Sequence, residues 1–168
     1  MNTNLMKDKK GLIMGIANNH SIAWGIAQTL YNHGAKLAFT YQGDNFKKRI
    51  EPLAEKINSK KHLINCDVLN QDELENAFNI IKDDWGSIDF IVHSIAHSDK
   101  NELNGRYINT SRENFLNTLE ISCFSLTNIV RVFEPIINDN GAILTLTYGG
   151  SEKVIPNYNV MGVAKAAL

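Results

Sequence analysis

The chain has 168 residues, of which 43% are hydrophobic and 21% are charged, a composition typical of a soluble globular protein with one core. A formal net charge of −1 gives no reason to expect a nucleic-acid or membrane-surface partner. The N-terminal sequence MNTNLMKDKKG lacks the apolar stretch of a secretory signal, and no apolar run approaches the roughly 20 residues of a membrane helix. The two isolated cysteines, Cys66 and Cys123, are expected to be buried, reduced thiols without a metal.

Strand-like and helix-like segments alternate along the chain. Short apolar runs predict strands, and apolar residues spaced three and four apart predict helices. In chain order, the predicted elements are strand 10–16, helix 21–34, strand 36–41, helix 44–57, strand 62–68, helix 70–86, strand 88–96, helix 111–133, strand 141–148 and helix 156–168.

Individual residues mark where these helices start, stop or break. Gly34 is placed to end the first helix, and Ser111 is placed to cap the fourth. Pro52 lies within the second helix and predicts a break or a fresh start there. Pro156 is expected near the first turn of the last helix, a position that proline favours.

Repeated strand–helix units predict a parallel sheet with helices on both faces. The strands are apolar enough for burial on both sides. We therefore predict an α/β, Rossmann-like doubly wound fold with strand order 3-2-1-4-5. The last helix stops after about three turns without a cap, so we expect later strands of the sheet to be missing. Residues 1–168 are predicted to form a single nucleotide-binding domain, incomplete at its C-terminus.

The turn after the first strand, GIANNHSIAWG (15–25), has features of a pyrophosphate site, although it is not GxGxxG. Gly15 allows a tight turn and a close approach of the backbone to a ligand. The helix N-terminus near Ser21 presents free N–H groups, and Gly25 is expected to let the helix lie close to the sheet. A plain glycine-containing loop with Ser21 as an N-cap remains an equal alternative.

The next two strand ends should meet the same sheet edge. Gln42 follows the second strand, where many NAD enzymes carry an acid for the adenosine ribose, and the next cation is Lys47. A 2′-phosphate would need a cation here, so the sequence favours NADH over NADPH. Asp67 follows the third strand and can accept a hydrogen bond from adenine while Val68 packs on the ring. An Asx-turn or helix cap explains Asp67 equally well.

Two tyrosines and a lysine lie close together near the end of the chain. Tyr158 and Lys165 are seven residues apart, which on a helix places them within about 20° of one another and roughly 10 Å apart. The lysine can bind ribose hydroxyls, and its charge is expected to favour the ionised phenol and make it a better acid. Tyr148 ends the preceding strand and offers a second phenol. Taken singly, each residue also fits a half-buried tyrosine or a solvated lysine.

The chain resembles one family over all 168 residues. Five stretches carry the resemblance: GIANNHSIAWGIA, LAFTYQ, CDV, HSIA and LTLTYGGSEKVIPNYNVMGVAKAAL. The family is that of the NADH-dependent enoyl-acyl carrier protein reductases of bacterial and plastid fatty acid synthesis, a divergent branch of the short-chain dehydrogenases. Ordinary short-chain dehydrogenases carry a strand serine, Y-x3-K on the helix and an asparagine on the preceding helix. Here the strand ends in Tyr148, the helix carries Y-x6-K, and EISCFS (120–125) has no asparagine.

The resemblance implies roles for particular residues. NADH would deliver hydride to the β-carbon of a trans-2-enoyl thioester, Tyr158 would stabilise the enolate oxygen, Lys165 would hold the nicotinamide ribose, and Tyr148 would shape the pocket. His97 stands where the relatives usually carry an aromatic residue and is assigned no chemical role. The implied cofactor contacts are Gly15, Ser21, Ile22, Gln42, Asp67, Val68, Ile95 and Lys165, and the implied substrate contacts are Ser98, Tyr148, Tyr158 and Met161.

The resemblance also implies an enoyl substrate bound to acyl carrier protein, a homotetramer, and a cytoplasmic location in preference to a plastid stroma. Two other functions stay open. A carbonyl-reducing short-chain dehydrogenase would need Y-x3-K and a strand serine, which the sequence lacks. An inactive nucleotide-binding fragment is the other alternative, because the chain ends at Leu168.

Overall fold

The computed structural model describes residues 4–168, and within them five strands form one sheet in the order β3-β2-β1-β4-β5. The pairs β1–β2, β1–β4 and β2–β3 are parallel. The predicted fold class and strand order are therefore confirmed. The strands are β1 (Lys10–Met14), β2 (Lys36–Tyr41), β3 (Leu63–Asn65), β4 (Ile88–His93) and β5 (Ile137–Thr145).

Helices connect the strands. A π-helical turn at Glu120–Phe124 joins α4 to α5. The helices are α1 (Ile22–Asn32), α2 (Gly43–Lys56), α3 (Gln71–Trp85), α4 (Arg112–Leu119), α5 (Ser125–Phe133) and α6 (Asn159–Ala167). Short 3-10 turns occur at Lys60–His62, Lys100–Glu102, Tyr107–Asn109, Glu134–Ile136 and Gly149–Ser151.

The chain divides into two compact units. The first, here called the sheet unit, comprises the chain up to Ser94 together with Val132–Leu144. The second, here called the helical unit, comprises Ile95–Arg131 and Thr145–Leu168. That the whole chain acts as one nucleotide-binding domain stays a prediction.

The core of the sheet unit lies against its central strands. Leu12, Ile13 and Met14 in β1 are all fully buried, so both faces of this strand are covered, as its apolar sequence predicts. Gly11 is the register partner of Phe90 on β4, and a Cβ built on Gly11 would lie 2.0 Å from the Phe90 ring. Glycine is therefore required at position 11, because the Phe90 ring occupies the space of a side chain.

Asp89 binds together the starts of β1, β4 and β5. Its carboxylate accepts hydrogen bonds from the backbone N–H of Lys10 at 2.8 Å, from the Lys9 ammonium at 3.0 Å and from the Asn138 amide at 3.1 Å. Burial alone would raise the pKa of this carboxyl, but these three donors outweigh it and lower the pKa below its usual value.

Several predicted helix boundaries are confirmed. Gly34 follows α1 with φ +100°, and its N–H donates to the carbonyl of Tyr31. The Ser111 hydroxyl accepts a hydrogen bond from the backbone N–H of Asn114, as a cap does.

Cys66 is buried, which raises the pKa of its thiol to about 12, whereas Cys123 is only half-buried.

Other boundaries differ from the prediction. Pro52 does not break α2, which continues from Gly43 to Lys56. The buried side chains of Ile50 and Leu53 anchor the helix on both sides of the proline, and Pro52 itself is exposed, so water can solvate the carbonyl that loses its partner.

The last strand and the last helix also begin elsewhere than predicted. Strand β5 starts at Ile137, four residues before the predicted start at 141. Helix α6 starts at Asn159, so Pro156 precedes it and does not form its first turn. The late start of α6 is caused by the positive φ of 60° at Asn157, which is incompatible with a right-handed helix.

Candidate active site

The turn between β1 and α1 has the conformation that its glycine predicts. Gly15 has φ +92°, a conformation that a residue with a side chain adopts only with strain. Ser21 occupies the N-cap position of α1, but its hydroxyl donates to the carbonyl of Asn18 at 2.6 Å and does not cap the helix. Ile22, in the first helical turn, is 68% exposed. The N–H of Trp24 donates to the carbonyl of Ser21, so the N–H groups of Ile22 and Ala23 are the ones in this turn that can bind an anion.

The expected role of Gly25 is wrong. Within the described chain, a Cβ built on Gly25 would have nothing within 4 Å, so this residue lies on the outward side of α1. Ala23 and Ala27 are fully buried and form the side of the helix that packs in the core. Small residues do allow the close packing, but they are the alanines on either side of the glycine.

Gln42 and Asp67 meet at the carboxyl ends of β2 and β3. The Gln42 amide donates to one carboxylate oxygen of Asp67 at 2.8 Å, and the backbone N–H of Leu69 donates to the other at 3.0 Å. The second bond is an Asx-turn, so the structural alternative for Asp67 is realised. Each carboxylate oxygen keeps a second lone pair, so Asp67 can still accept from a ligand. Val68 is half-buried beside it.

Lys47 lies with its ammonium 6.0 Å from the centroid of the Tyr41 ring. Its charge is therefore engaged with an aromatic face at the end of β2. Gln42 is neutral, and the N–H of Gly43 donates to the side-chain carbonyl of Asn65 at 3.0 Å. The first turn of α2 thus carries the acidic Asp44 and no basic residue.

In the helical unit, the two tyrosines lie edge to face. The ring centroids of Tyr148 and Tyr158 are 5.1 Å apart, and the ring planes are inclined by 66°. Tyr158 is the N-cap residue of α6, with φ −124° and ψ −22°, so it precedes the helix. The predicted helical spacing between Tyr158 and Lys165 is therefore wrong, although the two residues do belong to one compact unit.

The backbone of Gly150 packs directly against the Tyr158 ring, and sequence reasoning missed this residue. A Cβ on Gly150 would lie 2.5 Å from Cδ1 and 2.6 Å from Cε1 of Tyr158. Gly162, on α6, would place a Cβ 3.0 Å from the carbonyl oxygen of Gly150. The GG pair after Tyr148 was a signal, because adjacent glycines indicate a close approach of something to the backbone.

The Tyr158 phenol is held in its neutral form. Burial raises its pKa above the usual value, and the neighbouring phenol of Tyr148 raises it further. The expectation that Lys165 makes this phenol a better acid is therefore wrong. A neutral phenol keeps its O–H and so acts as a hydrogen-bond donor.

Lys165 is buried, which rules out a solvated lysine. Its side chain is 8% exposed, and its ammonium donates to the carbonyl of Leu146 at 2.7 Å. The hydroxyl of Thr147 donates to the backbone carbonyl of Lys165 at 2.9 Å. Burial lowers the pKa of the ammonium. One N–H is engaged with Leu146, and the other two can donate to ligand hydroxyls.

Ser98 is turned towards α4. It is 8% exposed, its hydroxyl donates to the Asn114 side chain at 3.3 Å, and it accepts from the Thr118 hydroxyl at 2.9 Å. The other two predicted contacts of this unit are Met161, which is buried, and Ile95, which is half-buried. The Ser98 hydroxyl thus serves the local hydrogen-bond network, and a direct role for Ser98 in binding stays a prediction.

Ser122 is a second residue that sequence reasoning missed. It lies fully buried in the π-helical turn, within the segment noted for its lack of asparagine. Its hydroxyl accepts from the backbone N–H of His97 at 2.9 Å and donates to the His97 carbonyl at 3.0 Å. Serine therefore fixes the 95–98 segment against this turn, and π-helical turns occur often at functional sites.

The open sheet with strand order 3-2-1-4-5, and a positive-φ glycine after its first strand, define the class of dinucleotide-binding α/β proteins. Within that class, the chain belongs to the enoyl-(acyl carrier protein) reductase family, whose family model matches residues 15–168. The resemblance inferred from the sequence motifs is confirmed.

The similar proteins are longer than this chain. The enoyl-acyl-carrier-protein reductase (NADH) FabI of Rickettsia typhi is 56% identical over 168 residues, which are 100% of this chain and 64% of the relative. The crystal structure of FabI from Candidatus Liberibacter asiaticus matches with a TM-score of 0.95 at 54% identity, over 98% of this chain and 64% of that one. The reductase of Anaplasma phagocytophilum, solved in complex with NAD, gives a TM-score of 0.93 at 52% identity, over 97% and 62%. The chain spans less than two thirds of each of these relatives.

Among residues 4–168, none of the helices combines the length and the apolar character that crossing a membrane requires.

Proposed function

We propose that this protein reduces the trans-2,3 double bond of enoyl thioesters carried by acyl carrier protein, using NADH, in fatty acid biosynthesis. The observation that supports this most is that one compact unit holds a neutral, partly buried Tyr158 phenol and a buried Lys165 ammonium, in a chain of this family. The names of the relatives agree, because they are NADH-dependent enoyl reductases. The protein would work as a homotetramer in the cytoplasm.

The residues of the sheet unit fit a dinucleotide. The Gly15 turn and the uncapped start of α1 suit a pyrophosphate, which needs backbone N–H groups and a close approach. Asp67 and Val68 suit the adenine, and Gln42 suits the adenosine ribose. Because the first turn of α2 carries the acidic Asp44 and no cation that would pair with a 2′-phosphate, we propose NADH as the preferred cofactor over NADPH.

The residues of the helical unit would bind the reacting groups. NADH, when bound, supplies the hydride that adds to the β-carbon of the enoyl thioester. Tyr158 would donate a hydrogen bond through its phenolic O–H to the thioester oxygen and stabilise the negative charge of the enolate, and uptake of a proton at the α-carbon then completes the reduction. Lys165 would donate its two remaining N–H groups to the nicotinamide ribose, so that the ammonium orients the cofactor without giving up its proton.

Tyr148 limits the freedom of the Tyr158 ring and lines the substrate pocket with it. Met161 would supply an apolar surface for the acyl chain, and Ile95 would pack near the nicotinamide. Ser98 contributes through the position of its backbone, since its hydroxyl is engaged with α4.

The test is cofactor oxidation by the intact protein with crotonyl thioester as substrate. We expect NADH to be oxidised faster than NADPH, and acetoacetyl thioester to be a poor substrate. Tyr158→Phe should lower kcat by about 100-fold, the size of effect seen when an oxyanion donor is removed. Tyr148→Phe is the matched control and should have a much smaller effect, because it leaves the Tyr158 donor in place.

A faster reaction with acetoacetyl thioester would show instead that the protein reduces carbonyl groups. An unimpaired Tyr158→Phe variant would remove the role proposed for this phenol.

A further inference from the structure

The direction of the Tyr158 phenol is not set by helix geometry, because Tyr158 precedes α6. The residues on either side of it, Asn157 and Asn159, have positive φ values of 60° and 27°. Such a backbone is uncommon for residues other than glycine, and asparagine tolerates it better than most. It is costly and persists where surrounding contacts enforce it, often at functional sites.

Asn159 makes the contacts that enforce this backbone. Its side-chain amide donates to the carbonyl of Glu102 at 3.0 Å and, at a longer distance of 3.4 Å, to the carbonyl of Asn104. Glu102 is itself fixed, because its carboxylate accepts from the backbone N–H and the hydroxyl of Ser111, both at 2.8 Å. The same donors hold the pKa of Glu102 below its usual value, so the carboxylate remains charged.

The amide of Asn159 is not needed to form α6. The first turn of this helix is closed by the backbone, with the N–H of Gly162 donating to the carbonyl of Tyr158 at 3.3 Å. The amide instead joins the residue after Tyr158 to the 102–104 segment, which Ser111 holds to the start of α4. On its other side, the Tyr158 ring meets Gly150 and Tyr148, so a shift of its backbone would move the phenol.

We propose that Asn159 is a positioning residue, whose amide clamp to Glu102 and Asn104 aims the Tyr158 phenol at the substrate oxygen. This proposal rests on the role proposed above for Tyr158. The clamp acts through Tyr158 and contacts neither substrate nor cofactor.

The test compares two asparagines that both have positive φ. Asn159→Gly keeps the positive-φ backbone conformation accessible and removes both hydrogen bonds that the side-chain amide donates. Asn140→Gly is the matched control, because Asn140 has φ 65° and lies in β5, outside the segments that carry site residues. In the intact protein, Asn159→Gly should lower kcat by about 10-fold with little change in the KM for NADH, as a misaimed catalytic group does. Asn140→Gly should leave both unchanged.

The decisive measurement repeats the change in a Tyr158→Phe background. If Asn159 acts through the phenol, Asn159→Gly should lower kcat less than about twofold once the hydroxyl is gone, because the two effects are not additive. Asn159→Asp, which also removes the amide donor, should behave in the same way and serves if the glycine variant does not fold.

An equal loss of kcat with and without the Tyr158 hydroxyl would overturn the proposal, and so would an unchanged kcat for Asn159→Gly and Asn159→Asp. Both results leave the role of Tyr158 intact if Tyr158→Phe alone is impaired. An unimpaired Tyr158→Phe would instead overturn the proposed function of the phenol, and with it the clamp.

Discussion

Two side chains decide what chemistry the candidate site can perform. The Tyr158 phenol has a raised pKa and remains a neutral donor, which suits stabilisation of a developing negative charge. The Lys165 ammonium is buried and bound to the carbonyl of Leu146. It therefore serves to orient a ligand, and the charge it carries is not used to ionise the phenol.

Gly150 gives a test of how closely the Tyr158 ring must be placed. Gly150→Ala would bring a Cβ to 2.5 Å from the ring, so the phenol must move. We expect kcat with crotonyl thioester to fall by about 10- to 100-fold, because a misplacement of about 1 Å is costly in an oriented reaction. Steady-state kinetics of the purified variant provide the measurement.

Gly149 provides the control for this substitution. In the described part of the chain, a Cβ on Gly149 would have nothing within 4 Å, so Gly149→Ala should keep its activity. Equal activities of Gly150→Ala and Gly149→Ala would contradict the close packing of the Tyr158 ring.

At the scale of elements, the strands are joined at their starts by Asp89 and end in loops that carry the predicted ligand-binding residues. The carboxylate of Asp89 links β1 and β4 to β5 through three donors. In open parallel sheets, ligands usually bind at the opposite, carboxyl edge.

The Asp89 network predicts a pH-dependent stability. Asp89→Asn should lower the free energy of unfolding by about 1–3 kcal/mol at pH 7, because it weakens hydrogen bonds to a charged acceptor. The folded-state pKa of Asp89 is lowered, so its contribution is fully present above the pKa of the unfolded state, about 3.9, and is lost as the pH falls through the folded-state pKa. Denaturant unfolding at several pH values measures it.

Asp83→Asn on the exposed side of α3 is the control and should change stability little. A stability difference between the wild type and Asp89→Asn that persists undiminished well below the folded-state pKa would contradict the assignment.

At the scale of the whole molecule, the sheet unit carries six of the predicted dinucleotide contacts, and the helical unit carries the other two, Ile95 and Lys165, together with the tyrosines. The strand order and the family were predictable, because alternating apolar segments and the YGGSEKVIPNYNVMGVAK stretch are strong signals. The contacts of Tyr158 were not predictable. Pro156 suggested a helix start that the left-handed Asn157 prevents.

Hydrogen bonds between residues far apart in sequence also could not be predicted from the sequence. Ser122 binds the backbone of His97, and Asn159 binds the carbonyl of Glu102, and neither pairing follows from spacing within one element. The prediction that Gly25 packs against the sheet was wrong for a related reason. A helical residue faces either the core or the solvent, and the apolar pattern around Gly25 did not decide which.

The pH dependence of single-turnover hydride transfer to crotonyl thioester tests the central claim most directly, with the intact wild type compared with Tyr158→Phe. Because burial keeps the pKa of the Tyr158 phenol above its usual value of about 10, the rate ratio of the two proteins should stay near 100 from about pH 6 to pH 9. A ratio near one, or one that collapses as the pH rises through this range, would contradict a neutral phenol that donates to the thioester oxygen.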